Sequence, residues 1–325
     1  MADSLALERS APHGSRPHAS AGFTRFALIV LAGTVAVILF GAIVRITGSG
    51  AGCGQHWPTC HGEIVHLPRK VETAIELGHR TSSGLAMLAV FALTAVAFRS
   101  FKSGHPVRRA AVASSVMMIV EALVGAGLVL FQLVEGDTSV ARTVVMPLHL
   151  VSTSLLTAAL ALVFWWSVPR AARAPSGDPR TVRMVWLGIV GVLAVSSTGA
   201  ITALGDTVYP VTAAPLSERI AELQASSSHF LERLRVIHPV LSVLVAAQLF
   251  RIGSAALERL SSRAAGTFAR SLIALTATQM LAGGVNVLLS APGWMQVVHL
   301  LLSTVLWIVL VLLGAEAARP RTASA

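Results

Sequence analysis

Charged residues are scarce in this 325-residue chain, at 12% of the sequence, while 54% of the residues are hydrophobic. A soluble globular domain carries roughly twice that share of charge, so the composition excludes one and indicates a polytopic membrane protein. A spanning helix needs about 20 mainly apolar residues, because its backbone must satisfy its own polar groups within lipid. The sequence therefore predicts an all-α protein with eight spans, near residues 25–46, 74–98, 110–133, 144–167, 183–204, 233–251, 268–289 and 294–315.

Acidic residues are scarcer still, 15 against 25 Lys and Arg, which leaves a net charge of +10. The placement of the basic residues excludes nucleic-acid binding as their explanation. With the N-terminus assigned to the cytoplasm, most of them fall in cytoplasmic tails and loops, which is the positive-inside pattern. We therefore expect a multi-pass membrane protein, in contact with lipid and with no nucleic-acid partner. Both termini are expected to be cytoplasmic.

A convincing cleavage site after the first apolar run is also missing, so we expect no cleavable signal peptide. Residues 1–22 are rich in Ser, Ala, His and Pro and are predicted to form a disordered cytoplasmic tail. The spans then predict a four-helix bundle over 23–168, a cytoplasmic linker over 169–182, a second four-helix bundle over 183–316 and a cytoplasmic tail over 317–325.

The chain does contain an internal repeat. The triplet Gly-Ala-Ile at 41–43 recurs at 199–201, and Glu-Ala-Leu-Val-Gly at 121–125 resembles Gln-Met-Leu-Ala-Gly at 279–283. A repeat of four helices preserves orientation, so the two halves are predicted to be parallel and related by an axis along the membrane normal. Each half is a bundle of the kind that places cofactors between facing helices.

Four histidines occupy repeat positions within these apolar segments: His79 and His238, His149 and His299. An ionisable residue inside the membrane is costly and is by default a functional-site hypothesis. All four lie near the extracytoplasmic ends of their helices. Two facing imidazoles in each half are what two bis-histidine haem sites require, so we predict one such site per half.

Glu76 stands one helical turn before His79, on the same face of the second span. It is also compatible with an acid that simply favours the positive end of the helix dipole. The equivalent position in the second half is Arg235, so the two sites are predicted to do different jobs. Glu121 lies within the third span, where its counterpart is the neutral Gln279. A hydrogen-bonding strut and a proton relay are the two interpretations of this acid.

The chain has only two cysteines, Cys53 and Cys60, both in the first extracytoplasmic loop. An oxidising compartment favours a disulfide between them. The interleaved His56 and His61 allow a metal site as the alternative.

Several basic residues stand on the outer side, against the positive-inside rule. Arginine suits carboxylates as a bidentate donor, so these residues are candidates for haem propionates, with an ordinary interfacial role as the alternative. They are Arg45, Arg80, Arg142, Arg233 and Arg235.

A resemblance to a known family rests on four features of the sequence. They are Gly-Ser-Gly-Ala-Gly-Cys at 48–53, the second cysteine after Trp57 and Pro58, Glu-x-x-His-Arg at 76–80, and single histidines in the fourth, sixth and eighth spans. Over residues 25–315 the chain resembles the haem A synthase family, in the bacterial form with a cysteine pair in this loop.

The resemblance implies oxidation of a methyl group of haem O to the formyl group of haem A, with oxygen derived from water. It implies a resident haem b held by His238 and His299, and substrate haem held by His79 and His149. It assigns Glu76 to the chemistry and pairs the two cysteines as a disulfide. Partners would be haem O synthase and terminal oxidase assembly factors, and a homo-oligomer is compatible with it.

Two other functions fit the same pattern. A di-haem cytochrome would carry electrons from quinol without changing either haem. A transporter built from a parallel repeat would have helices broken near the middle of the membrane and would bind no haem.

Overall fold

The computed structural model describes residues 21–168, 177–209 and 229–319. Residues 1–20 of the expected N-terminal tail, 169–176 of the expected linker and 320–325 of the expected C-terminal tail lie outside this range. Nine helices fold from the described residues. They are α1 (Ala21–Ile46), α2 (Val71–Ser100), α3 (Pro106–Leu130), α4 (Val140–Ser167), α5 (Pro179–Val208), α6 (Phe230–Leu234), α7 (Ile237–Arg259), α8 (Arg263–Leu288) and α9 (Gly293–Ala317).

All of these helices except the short α6 are long and apolar enough to cross a membrane. The eight predicted spans are therefore confirmed, and the chain is an all-α multi-pass membrane protein.

The residues at which several helices start are set by capping side chains. Asp178 caps α5 by accepting a hydrogen bond from the backbone N–H of Thr181 at 2.9 Å, with Pro179 at the first helical position. Ser139 and Ser262 cap α4 and α8 in the same way.

The sixth span differs most from its predicted bounds of 233–251. Its helix begins at Ile237 and runs to Arg259, and the preceding residues form the separate helix α6. Pro239 lies in the first turn of α7, where the missing N–H has no intrahelical partner to lose. Arg233 and Arg235 therefore stand before the spanning helix instead of on it.

Contacts among the long helices follow the same pattern in each half. Helices α1 to α4 close a ring through the pairs α1–α2, α2–α3, α3–α4 and α1–α4. In the second half α5, α7, α8 and α9 close the matching ring. The halves meet through α4 and α5, α1 and α9, and α4 and α9. The indole N–H of Trp307 on α9 donates to the carbonyl of Ser154 on α4 at 2.7 Å, which ties the halves together.

Each half has its own apolar core, and both cores lie toward the same end of the molecule. The first is built from the beginnings of α1 and α3 and the ends of α2 and α4, and the second from the corresponding parts of α5, α7, α8 and α9. The α1–α2 connection, residues 47–70, lies at the opposite end. We call that end the disulfide end, because Cys53 and Cys60 are bonded to each other there.

Candidate functional site

The four histidines lie where the apolar cores stop. Each is near the start of a helix that begins at the disulfide end: His79 on α2, His149 on α4, His238 on α7 and His299 on α9. The buried core residues Leu156, Val245 and Leu306 come about two helical turns after His149, His238 and His299. Toward the disulfide end the bundles are thus lined by imidazoles in place of the buried core of the opposite end.

In the second half, His238 and His299 face each other with ring centroids 6.4 Å apart and ring planes at 81°. Two imidazole nitrogens each bound to a metal at about 2 Å place their ring centroids roughly 6 Å apart. The pair therefore fits the axial ligation of a haem iron.

Hydrogen bonds orient His238 for that role. Its Nδ1 lies 3.0 Å from the carbonyl of Val195 and 3.3 Å from the hydroxyl of Thr198, both on α5. A proton on Nδ1 donated to this carbonyl leaves Nε2 free as a metal ligand.

His299 has a different neighbour. The amide nitrogen of Gln279 lies 3.0 Å from Nε2 of His299 and donates to its backbone carbonyl at 3.3 Å. The buried Nδ1 of His299 and Oε1 of Gln279 have no hydrogen-bond partner among the described residues. Buried polar groups are costly to leave unpaired, so this arrangement fits a site that a ligand completes.

In the first half, the repeat-related pair is His79 on α2 and His149 on α4. His79 packs edge-to-face against Phe40, with ring centroids 5.7 Å apart, and its buried Nδ1 has no hydrogen-bond partner among the described residues. Phe40 is the counterpart of Thr198, so the first half lacks the hydroxyl that lies beside His238. The fixed anchor of His238 suits a permanent ligand, and the apolar neighbour of His79 gives a less constrained imidazole.

Glu121 reaches the other imidazole of this half. Its Oε1 lies 3.4 Å from Nδ1 of His149, and it accepts hydrogen bonds from the hydroxyls of Ser152 and Thr153. In the second half the neutral Gln279 occupies this place. One histidine pair therefore has a carboxylate beside a ligand imidazole, and the other has an amide.

Glu76 is buried, with 3% of its surface exposed, and both of its oxygens are occupied. The backbone N–H of Cys53 donates to Oε2 at 2.6 Å, and Arg80 donates to Oε1 through Nε at 3.0 Å and through a second nitrogen. Arg80 in turn donates to the carbonyls of His56 and Thr59 at 2.5 and 2.7 Å. Glu76 and Arg80 thus fasten the 47–70 connection to α2 on either side of His79.

The predicted disulfide is present, with the Cα atoms of Cys53 and Cys60 4.5 Å apart. A metal site that uses both thiolates is excluded, because both sulfurs are in this bond. His61 instead lies 3.0 Å from the carbonyl of Gly52 through its Nε2. The loop is therefore held by covalent and backbone contacts.

The propionate candidates differ in how far their guanidinium groups are already engaged. Arg45 donates to the carbonyl of Ala203 at 2.8 Å, to the hydroxyl of Thr207 at 2.5 Å and to Oε1 of Gln296 at 2.8 Å, all in the second half. Arg142 donates to the carbonyls of Glu135 and Asp137, but its buried Nε has no partner among the described residues.

The second half contains an acid that sequence reasoning missed. Asp206, near the end of α5, lies 3.0 Å from Nε of Arg235, which also donates to the carbonyl of Tyr209. Asp206 falls just beyond the predicted span 183–204, and its counterpart in the first half is Gly48, so neither the repeat nor the apolar pattern marks it. The remaining propionate candidate, Arg233, is exposed on α6.

A family model described as "Cytochrome oxidase assembly protein" matches residues 24–311, nearly the whole of the described chain. The chain belongs to this family. The family match covers both halves and all four histidines.

Curated relatives support the family assignment. "Protoheme IX farnesyltransferase" of Thermus thermophilus is 43% identical over 288 residues, which is 89% of this chain and 47% of the relative. The chain thus spans about half the length of that relative. "Heme A synthase" of Shouchella clausii is 39% identical over 110 residues, 34% of this chain and 36% of the relative, and "Heme A synthase" of Bacillus mycoides is 39% identical over 105 residues, covering 32% and 34%.

Proposed function

We propose that this membrane protein oxidises a methyl group of haem O to the formyl group of haem A, using a resident haem b for electron transfer. The observation that carries the proposal is the arrangement of the four histidines in two repeat-related pairs, one pair with ring centroids at the separation of axial haem ligands. Membership of the cytochrome oxidase assembly family and the likeness to two heme A synthases support it.

The two pairs are given different roles because their surroundings differ. We assign His238 and His299 to the resident haem b, since His238 is anchored on Val195 and the neighbours of the pair are amide and hydroxyl groups. We assign His79 and His149 to the substrate haem. When bound, haem b supplies reversible one-electron chemistry, and the protein supplies position and electrostatics.

Two carboxylates lie beside the histidine pair that is assigned to the substrate haem. Converting a methyl group and water to a formyl group releases four electrons and four protons, so groups that accept protons or steady positive charge assist the reaction. Glu121 lies beside His149 and can polarise its imidazole. Glu76 lies one turn before His79 and is proposed to serve the chemistry while it holds the loop.

Arg142 is the proposed propionate donor for the substrate haem. Its side chain is buried, and its Nε has no partner among the described residues, whereas Arg45 and Arg80 spend several donors on protein oxygens. An additional carboxylate is what an unsatisfied buried guanidinium nitrogen favours.

A farnesyltransferase activity, which the name of the Thermus relative suggests, is not favoured. Transfer from a prenyl diphosphate needs carboxylates to hold Mg²⁺ against the phosphates. The carboxylates beside the histidines of the first half, Glu76 and Glu121, are instead engaged by protein donors. A name given to a chain about twice as long instead supports a functional partnership with haem O synthase, and oxidase assembly factors are proposed as recipients of the product.

The proposal also places the protein in the bacterial cell membrane with the disulfide end outside. The distribution of basic residues supports this orientation. A transporter is not favoured, because it predicts spans broken at mid-membrane, and each of the eight described spans is one continuous helix.

The test is to express the full chain in a host that makes haem O but no haem A, and to identify the extracted haems by mass spectrometry. We expect haem A, and none from a His79→Ala variant. Two unmodified haems per chain and no haem A would support the di-haem cytochrome instead. Spectra of the purified variants test the division of the halves: His238→Ala should remove the resident haem and His149→Ala should keep it. The reverse result would exchange the roles of the halves.

A further inference from the structure

Each of the four histidines faces a glycine on the preceding long helix of its half. A Cβ built on Gly41 of α1 would lie 3.1 Å from Cε1 of His79, and one on Gly199 of α5 would lie 3.0 Å from Cε1 of His238. The same relation joins α3 to α4, where a Cβ on Gly125 would lie 3.7 Å from His149.

It also joins α8 to α9, where a Cβ on Gly283 would lie 3.3 Å from Cε1 of His299. Gly41 and Gly199 belong to the repeated Gly-Ala-Ile triplet, and Gly125 and Gly283 end the repeated five-residue segment. The glycine and histidine positions thus recur together in both halves.

These glycines differ from the glycines that let helices pack closely. A Cβ on Gly253 would meet Ile273 and the backbone carbonyl of Ala269, and one on Gly188 would meet Ile252 and Leu249. At Gly41 and Gly199, by contrast, the three nearest atoms all belong to the imidazole. At Gly125 and Gly283 the imidazole supplies every atom within 4 Å.

We propose that Gly41, Gly199 and Gly283 are positioning residues for the haem ligands: each leaves the space in which the imidazole of the neighbouring helix stands. Ordinary carbon contacts lie at about 3.5–4.0 Å. A methyl group at Gly41 or Gly199 therefore requires the ring to turn or shift, and one at Gly125 does not.

His238 has the least freedom to respond. Its Nδ1 is held by the carbonyl of Val195, one helical turn before Gly199 on the same helix. Helix α5 thus holds Nδ1 of the ring and, at Gly199, leaves room for Nδ1 and the adjacent Cε1. An added methyl group at Gly199 pushes the ring away from α5, so the angle of the ligand changes or its hydrogen bond to Val195 is lost.

The inference rests on the proposed haem ligation but not on haem A synthesis, so haem titration tests it separately. A His79→Ala background leaves only the second pair complete, and a His238→Ala background leaves only the first. Ferric protohaem is titrated into each purified, haem-depleted full-length protein, with the Soret band and the low-spin electron paramagnetic resonance spectrum as readouts.

We expect Gly199→Ala in the first background, and Gly41→Ala in the second, to weaken haem binding at least about tenfold or to shift the low-spin g-values. In each background, we expect a matched control to bind as its parent does. Gly284→Ala is the control in the first background and Gly33→Ala in the second, because a Cβ at either position meets nothing within 4 Å. Gly125→Ala is a third control, in the second background, because a Cβ there makes only an ordinary contact with His149.

Thermal stability separates positioning from packing. Alanine is a better helix former than glycine, so the haem-depleted variants should be at least as stable as their parents. Weaker binding together with unchanged or higher stability supports the proposal. Parent-like affinity and g-values in both Gly199→Ala and Gly41→Ala overturn it, as does an equal loss in Gly284→Ala and Gly33→Ala. Normal titrations with no haem A formed in cells would overturn the proposed function alone.

Discussion

Replacing Glu76 separates two roles that the structure combines in one carboxylate. It accepts hydrogen bonds from Cys53 and Arg80, and it stands beside the proposed substrate histidine. Glu76→Ala removes the partner of a buried N–H, which costs about 1–3 kcal/mol. It also leaves Arg80, whose side chain is 11% exposed, without its carboxylate, and breaking a buried ion pair costs about 3–5 kcal/mol.

These contributions share atoms and are not additive, so we expect loop opening to become easier by about 3–5 kcal/mol in Glu76→Ala. Since every 1.4 kcal/mol is tenfold, opening should be at least about a hundred times more frequent. The assay is the rate at which a mild reductant cleaves the Cys53–Cys60 disulfide in the folded protein. Glu76→Gln keeps one acceptor oxygen and should lie between wild type and Glu76→Ala. A rate for Glu76→Ala within threefold of wild type would refute the clamp.

Arg80→Gln is the matched control for the chemistry, because it loosens the loop and keeps the carboxylate. If Glu76 assists oxidation, haem A production should fall further in Glu76→Gln than in Arg80→Gln, with haem O or a hydroxymethyl intermediate accumulating. Haem A yields that simply follow the disulfide cleavage rates of all three variants would leave Glu76 a structural residue only.

Three further predictions concern the disulfide and the opposite end of the molecule. Alkylation of the denatured, unreduced protein should label neither Cys53 nor Cys60, and two labelled thiols would contradict the bond. Glu316 is 1% exposed and accepts hydrogen bonds from Trp165 and Ser262 at 3.0 and 3.1 Å. Glu316→Ala should therefore lower the free energy of unfolding by about 2–4 kcal/mol, measured by melting in detergent. An alanine substitution at an exposed residue is the control and should be near neutral. Asp178→Ala should cost about 1 kcal/mol of stability as a lost helix cap. Hydrogen bonds from Thr181 lower the pKa of Asp178, so this stabilisation is present above the ordinary pKa of an aspartate and is lost as the pH falls below that value. A difference in melting temperature between wild type and Asp178→Ala that stays the same at acid pH would contradict the capping role.

The four histidines could be predicted from the sequence because an ionisable group stands out in an apolar run and because the repeat marks it twice. The same repeat placed Gly41 and Gly199 at equivalent positions, but only the structure shows that the space beside each is filled by an imidazole. In the sequence alone, a glycine that permits helix packing cannot be distinguished from a glycine that accommodates an imidazole ring.

The surroundings of Glu76 could not be predicted in the same way. Spacing along α2 indicates its neighbours one turn away, and Arg80 is one of them. The hydrogen bond from the N–H of Cys53 depends on the path of the 47–70 connection, which is set by turns, the disulfide and contacts with α2. Similarly, the pairing of Asp206 with Arg235 joins α5 to the segment between α6 and α7, and no local pattern marks it.

The contacts of Arg45 show that the two halves differ in sequence at a position close to the axis that relates them. The repeated Gly-Ala-Ile triplets make Ala203 the counterpart of Arg45, and the guanidinium of Arg45 reaches the carbonyl of Ala203 itself. Counterparts that touch lie beside the axis that relates the halves. A symmetric pair of identical half-chains would place two arginines there, and like charges facing each other are destabilising. An arginine on one side and an alanine on the other avoids this repulsion and requires two halves of different sequence, so a second copy of the first half could not replace the second half without bringing two arginines together.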